Sequence, residues 1–282
     1  MNDECWIIKL KNQIKMQITP LSKKLVFRSS VTSCFIFFVF CSNLFAQSEK
    51  YLSLGEQAIF KVSKTTDPIV IDGKMNEKAW EKTEARKLNY YYRIDKPDDQ
   101  QETVFRMLWD NENLYVFFDC NDQFITAREK NRDGEPFYDD CAEIFLIPVP
   151  DSLNMHLGFE INLYKASNDF IFFNNFYKGN NGLIKAFNPD FKVEVTVRGT
   201  VNDNSDIDQG WRMEMSIPLI TFKGIDTFCP VKSGNKWAFL AVRQDRNDSA
   251  GNRRSTYTIF PIYDIGKGVH QPNRFGLLQF VE

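Results

Sequence analysis

Histidine is nearly absent from this sequence: His156 and His270 are the only two among 282 residues. No serine or cysteine stands in the surroundings of an activated nucleophile, so nucleophilic catalysis of the triad type has little to draw on. Surplus positive charge is also lacking. Thirty-five Lys and Arg face 37 Asp and Glu, a formal net charge of −2. Nothing neutralises a phosphate backbone, which excludes nucleic acid as the expected partner. No apolar run approaches the ~20 residues a membrane helix needs. No sustained amphipathic helix, internal repeat, coiled coil or low-complexity tract occurs either.

Cysteine is sparse where it would matter. Of six, Cys5, Cys34 and Cys41 lie in the N-terminal leader, leaving Cys120, Cys141 and Cys229. None has metal-site spacing, and three is odd, so at most one bridge forms. Cys120 with Cys141 is the candidate pair; buried unpaired thiols are the alternative.

What is present is aromatic. Phe, Tyr and Trp make up 15% of the chain, with 26 Phe, and such side chains favour pleated, half-buried surfaces. The N-terminus reads as a signal peptide over residues 1–46. Lys23, Lys24 and Arg28 precede the apolar run Val31 to Cys41, and Ala46 offers a small residue at the cleavage point. Met16 is an alternative start, and a retained anchor or a lipoprotein attached through Cys41 are the alternatives to cleavage. Residues 47–66 form a polar lead-in with a strand candidate at Ala58 to Val62. The compact domain is expected over 67–282.

Its opening carries a short strand at Ile69 to Ile71, the turn Asp72-Gly73, and a helical turn from Asn76, its expected cap, with Trp80 as a core plug. Thereafter the period is 2. Thr103 to Trp109, Leu114 to Cys120, Asp140 to Ile147, His156 to Leu163 and Phe170 to Tyr177 read as strands. So do Phe191 to Arg198, Trp211 to Ile217, Trp237 to Asp245, Thr256 to Phe260 and Phe275 to Val281. Tyr90 to Tyr92 is a further strand whose rings must face opposite sides, a binding platform or ordinary sheet packing. Many short strands with turn signals predict an all-β, two-sheet antiparallel sandwich of jelly-roll type. Two long polar loops, Asp122 to Tyr138 and Arg246 to Ser255, are where binding groups would sit.

Within these strands several groups draw notice. Glu143 shares a mostly apolar face with Cys141, Phe145 and Ile147, so it must be partnered or line a ligand pocket. His156, Glu160 and Asn162 share the face opposite Phe159 and Ile161. Arg243 is a candidate partner for Glu143 or Glu160, in an internal ion pair or in contact with sugar hydroxyls beside an aromatic platform.

The order of blocks resembles carbohydrate-binding module family 9. Ile69 to Trp80 (IVIDGKMNEKAW), Met107 to Phe117 with Asp122, Asp140 to Pro148, Phe159 to Asn162, Gly210 to Pro218, Trp237 to Arg243 and Phe275-Gly276 follow that family's sequence. The resemblance covers about Asp67 to Glu282. It implies a two-sheet sandwich, non-catalytic binding of polysaccharide or oligosaccharide, and structural calcium. Together with the strand-face reading of Glu143 and Arg243, it points to Phe137, Tyr138, Glu143, Glu160, Asn162, Arg243 and His270 as the site residues. Asp122 and Asp140 are the calcium ligands expected, with Asp119 and Asp139 beside them, against the alternative of solvated turn acids. The chain departs from the family pattern at three places. Phe137 stands where one sugar-clamping tryptophan is expected, Val269 to Pro272 holds no second one, and Glu160 replaces a sugar-contacting arginine.

Two other functions are weighed. A glycosidase would use Glu143 and Glu160 as carboxylates ~5–10 Å apart. A haem-binding or adhesive relative would need axial ligands such as Met213 or Met215, which sit on an apolar face and read as core.

Overall fold

Alternation of apolar and polar residues builds the molecule strand by strand. The computed structural model describes residues 57–94, 101–150, 154–177, 180–225, 231–246, 248, 254–262 and 268–282. The expected signal peptide, Cys229 and most of the Arg246 to Ser255 loop lie outside the described residues. The strands are β1 (Ile59–Lys64), β2 (Ala85–Lys87), β3 (Tyr90–Ile94), β4 (Thr103–Trp109), β5 (Asn113–Asn121), β6 (Cys141–Ile147) and β7 (Met155–Asn162). They continue with β8 (Ser167–Tyr177), β9 (Asn180–Ile184), β10 (Lys192–Arg198), β11 (Gly210–Pro218), β12 (Lys236–Arg246), β13 (Arg254–Thr258) and β14 (Gly276–Val281). One short helix, α1 (Lys78–Glu81), precedes them all except β1.

The sandwich expected from the sequence is present, with its two layers hydrogen-bonded into one sheet. Along one layer run β10, β11, β5 and β4; β1 then leads into β14, β12, β6, β7, β8 and β9. The joint is β1, which pairs in parallel with both β14 and β4. Its Phe60 and Val62 are fully buried. Phe60 meets Phe105 of β4 at 5.6 Å and Phe239 of β12 at 5.7 Å between ring centroids. A parallel connector of this kind departs from a purely antiparallel sandwich, and the parallel pairing was not visible in a six-residue lead-in strand.

The two layers face one another through rings. Phe159 of β7 lies edge-on to Phe191, beside β10, at 5.5 Å. Phe105 stacks on Phe239 at 6.0 Å. The strict alternation of β10 puts Phe191, Val193, Val195 and Val197 against the core, half-buried because β10 is an edge strand.

A second, smaller cluster covers the outer face of β4 and β5. Trp80, fully buried as the sequence predicts, packs with Leu108, Tyr115 and Phe117. Its indole N–H donates to Glu214 of β11 at 3.1 Å. The same carboxylate accepts the backbone N–H groups of Asp72 and Gly73 at 2.9 and 3.1 Å. A buried acid with three donors anchors the whole segment, and this dictates two corrections. Ile69 to Ile71 is not a strand; Ile69 and Ile71 pack against this cluster instead. Asn76 is not the helix cap. That position is Glu77, which makes no side-chain cap, while the Asn76 amide donates to Asp72 at 3.3 Å.

The bridge between Cys120 and Cys141 does not form; both are free, buried thiols. Cys120 lies near Arg243 and Thr103, whereas Cys141 lies on the face of β6 that carries Glu143.

Candidate functional site

The outer face of β13, β12, β6, β7, β8 and β9 is concave, and a cleft of about 540 Å³ lies against it. Register decides which side chains meet there. Glu143 of β6 is directly opposite Glu160 of β7, and Glu160 is opposite Asn168 of β8. Phe145 is opposite Gly158, which is opposite Phe170, and His156 is opposite Phe172. Gly158 is required by this packing: a Cβ there would fall 2.3 Å from the Phe170 ring. The β12 neighbour on this face is Gln244, opposite Cys141.

Both acids are buried, Glu143 1% and Glu160 4% exposed. Each is held by an amide. The Gln244 side chain donates to Glu143 Oε1 at 2.8 Å, and Asn168 donates to Glu160 Oε2 at 2.7 Å. Burial pushes the Glu143 carboxyl up to about 7, against the Gln244 bond and the charge of Arg246. Burial, then the charge of Glu143, raises Glu160 well above its ordinary range. Glu143 Oε2 and Asn168 Oδ1 are buried with no hydrogen-bond partner.

Loops supply the rim. Phe137 and Tyr138 occupy a short 3-10 turn, Pro136–Tyr138, with ring centroids 4.7 Å apart. The turn is pinned from behind. Arg246 donates to the Phe137 carbonyl, and Arg128 to that of Tyr138 at 2.7 Å. On the opposite rim His270 stacks on Phe172 at 4.5 Å and shares a 3.0 Å hydrogen bond with His156. Burial lowers His270 to about 4, so it presents a neutral ring to the cleft rather than a charge.

Five of the seven residues expected to touch a ligand therefore line one cleft: Phe137, Tyr138, Glu143, Glu160 and His270. Asn162 and Arg243 do not. Asn162 is fully buried and spends its amide on the loop: it donates to Glu129 O and Asp139 Oδ2, both at 2.8 Å, and accepts from Tyr164 and Ala166 N–H groups at 3.0 Å. Arg243 points to the opposite face of β12, between the layers, because alternation gives the cleft to Gln244. It partners neither Glu143 nor Glu160. It donates to Asp122 at 2.9 Å, to Thr103 at 2.9 Å and to the Asn121 carbonyl at 2.7 Å, and lies over the Trp211 ring at 5.6 Å. Phe170, Phe172, Asn168 and Gln244 were not singled out from sequence; the FIFF run of β8 is the one signal that points to the two rings.

A second polar cluster lies at the Arg243 end of the core. Asp122, Asp140 and Asp245 bring one oxygen each within 4.8 Å of one another, all buried. Three ionised carboxylates against the guanidinium of Arg243 would leave two negative charges, for which Arg246 is the further cation nearby among the described residues. Burial and the neighbouring carboxylates push Asp140 well up, and burial raises Asp245 to about 6. Asp245 Oδ1 has no partner. The carbonyls of Phe124, Arg246 and Asp248 converge on Thr126 Oγ1 at 3.2, 3.1 and 2.9 Å, although one hydroxyl satisfies only one of them. Oxygen-only donors with surplus negative charge fit a hard divalent ion such as calcium. The expected ligands Asp122 and Asp140 are both in the set, and Asp245 is the member that sequence reading missed.

Neither weighed alternative finds support. Glu143 and Glu160 stand side by side on one cleft wall, whereas glycosidase carboxyls must flank the scissile bond from two sides. Met213 and Met215 are buried in the main core, and the two histidines are bonded to each other.

Solved structures share this fold. A carbohydrate-binding module of family 9 from Caldicellulosiruptor kristjanssonii, solved with cellotriose, superposes with a TM-score of 0.55 at 19% identity over 79% of this chain and 94% of that one. The same organism's module with glucose gives 0.55 at 20% identity, covering 79% and 95%. A candidate carbohydrate-binding protein from Bacteroides uniformis gives 0.58 at 16%, covering 80% of this chain and all of that one. No curated protein sequence matches. The family model described as carbohydrate family 9 binding domain-like matches residues 71–282, three quarters of the sequence, and the chain belongs to that family.

Proposed function

We propose that this chain is an exported, non-catalytic glycan-binding module whose ligand lies in the cleft over β6, β7 and β8. The observation that carries the reading is the combination in one concavity of aromatic rims with buried, incompletely bonded acceptors. Phe137, Tyr138 and the neutral His270 ring offer faces for a pyranose, while Glu143 Oε2 and Asn168 Oδ1 lack donors that sugar hydroxyls would supply. A neutral sugar surface is amphipathic in the same way, apolar on its faces and donor-rich at its edge. The solved relatives were crystallised with cellotriose and glucose, which names the ligand class to try first. Residues 1–46 would direct export and be removed. Calcium would be held by Asp122, Asp140 and Asp245 as a structural ion behind the cleft, stiffening the loop that carries Phe137.

Titration calorimetry against a panel of cello-, xylo-, manno- and amino-oligosaccharides tests this reading. Saturable binding is expected, weakened about ten-fold by Phe137→Ala through loss of one stacked face. Failure of every glycan to bind would overturn it.

A further inference from the structure

The polar floor of the cleft sets two carboxylates beside two amides, and Lys185 and Arg246 also line the cleft. Glu143 and Glu160 face each other across neighbouring strands, a placement in which two ionised carboxylates repel. The groups that touch them are amides, Gln244 and Asn168, and each amide has already given one N–H to a carboxylate. Lys185, just beyond β9, and Arg246 at the end of β12 act on the acids by charge and not by a hydrogen bond. Two acceptors, Glu143 Oε2 and Asn168 Oδ1, are left without donors, on residues 1% and 4% exposed.

From this arrangement we infer that the cleft selects glycans bearing a free amine, its ammonium group seated between Glu143, Glu160 and Asn168. The inference rests on the glycan-binding reading above and narrows it. An ammonium carries three donors, enough for the two unpartnered acceptors, Glu143 Oε2 and Asn168 Oδ1, and for a further bond to the Glu160 carboxylate. Burial holds the empty pair toward its protonated form, and the charge of an ammonium favours ionisation of both acids, which a neutral hydroxyl does not. An N-acetylated amine has neither the charge nor the three donors, and its added bulk must enter a floor already closed by buried side chains.

Three trisaccharides separate the terms, since they share the β-1,4 backbone and differ at C2: cellotriose, deacetylated chitotriose and fully N-acetylated chitotriose. Calorimetry at pH 7 and physiological salt is expected to show the deacetylated sugar binding about ten-fold or more tightly than either of the others, the value of one charge-assisted contact. Glu160→Gln, with folding checked by thermal unfolding, is expected to bring the deacetylated sugar to within about two-fold of cellotriose measured on the same variant. General attraction of a cation to the protein would survive that substitution. Equal or weaker binding of the deacetylated sugar by the wild type overturns the inference while leaving the glycan reading intact. Absence of binding by all three, across the wider panel as well, removes the glycan reading and this one with it.

Discussion

Gly73 shows how much a single residue holds. It sits at φ +74°, and a Cβ there would lie 3.1 Å from the backbone of Val195 and Thr196. Its N–H binds Glu214, and its carbonyl accepts the Thr196 hydroxyl at 2.7 Å. The Asp72-Gly73 turn, readable from sequence as a turn, is thus the point where the N-terminal segment docks on β10 and β11. Gly73→Ala combines left-handed backbone strain with a backbone clash. It is expected to lower unfolding free energy by about 1–3 kcal/mol in urea titration; an unchanged midpoint would contradict the docking role. The same scale explains why Arg243 misses the cleft. Arg243 and Gln244 are adjacent, and strand alternation sends them to opposite faces. A charge on an otherwise apolar face attracts attention in a sequence, yet here the quieter Gln244 reaches the cleft.

Between elements, the loop from Asp122 to Asp140 is the important connection. It is tied at one end to Arg243 and Trp211 through Asp122. At the other, Asp140 accepts N–H groups of Thr126 and Arg246, both at 2.6 Å. The middle of the loop is tied back to Asp139, which accepts from Arg128, Glu129 and Asn162. These acids hold the Phe137–Tyr138 turn over the cleft. If calcium joins Asp122, Asp140 and Asp245, millimolar calcium raises the thermal midpoint by several degrees, EDTA reverses it, and Asp245→Asn loses most of the response. Identical melting with calcium and with EDTA would exclude the ion. The sequence placed Asp122 and Asp140 together through the family pattern, but Asp245 is 105 positions beyond Asp140 and enters only because β12 pairs with β6.

Over the whole molecule, buried titratable groups make stability pH-dependent in two opposing ways. Glu143 is raised from 4.5 to about 7 and Asp245 from 3.8 to about 6. For a raised group the folded state binds more protons, so its stabilising contribution is complete below the unfolded value and is lost as pH rises through the folded one. His270 is lowered from 6.5 to about 4; its contribution is present above 6.5 and lost as pH falls through 4. Between pH 4.5 and about 6 His270 offsets only one of these two acids, and toward pH 7 the raised acids dominate. Glu143→Gln removes one of them. The stability of that variant relative to wild type is expected to grow with pH from about 5 to 7, by up to ~1.4 kcal/mol per pH unit. Denaturant titrations giving a pH-independent difference would show that Glu143 is not held protonated by its surroundings.

The local chain chemistry alone determined most of the strands, though not β2 or β9 and wrongly one at Ile69 to Ile71, because a half-buried sheet imposes a period of two that survives without any knowledge of neighbours. It determined Trp80 as a core residue, since it is the one bulky apolar side chain in a polar segment, and it determined the family through the order of its blocks. It carried Phe137, Glu143, Glu160 and His270 as far as candidates. Only the tertiary structure decided which of them meet. The Glu143–Glu160 pair depends on register between β6 and β7, the exclusion of Arg243 on the parity of β12, and the layer-joining place of β1 on parallel pairings with strands distant in sequence. Register and pairing are set by long-range packing, and a period-two pattern reads the same whichever strand lies beside it.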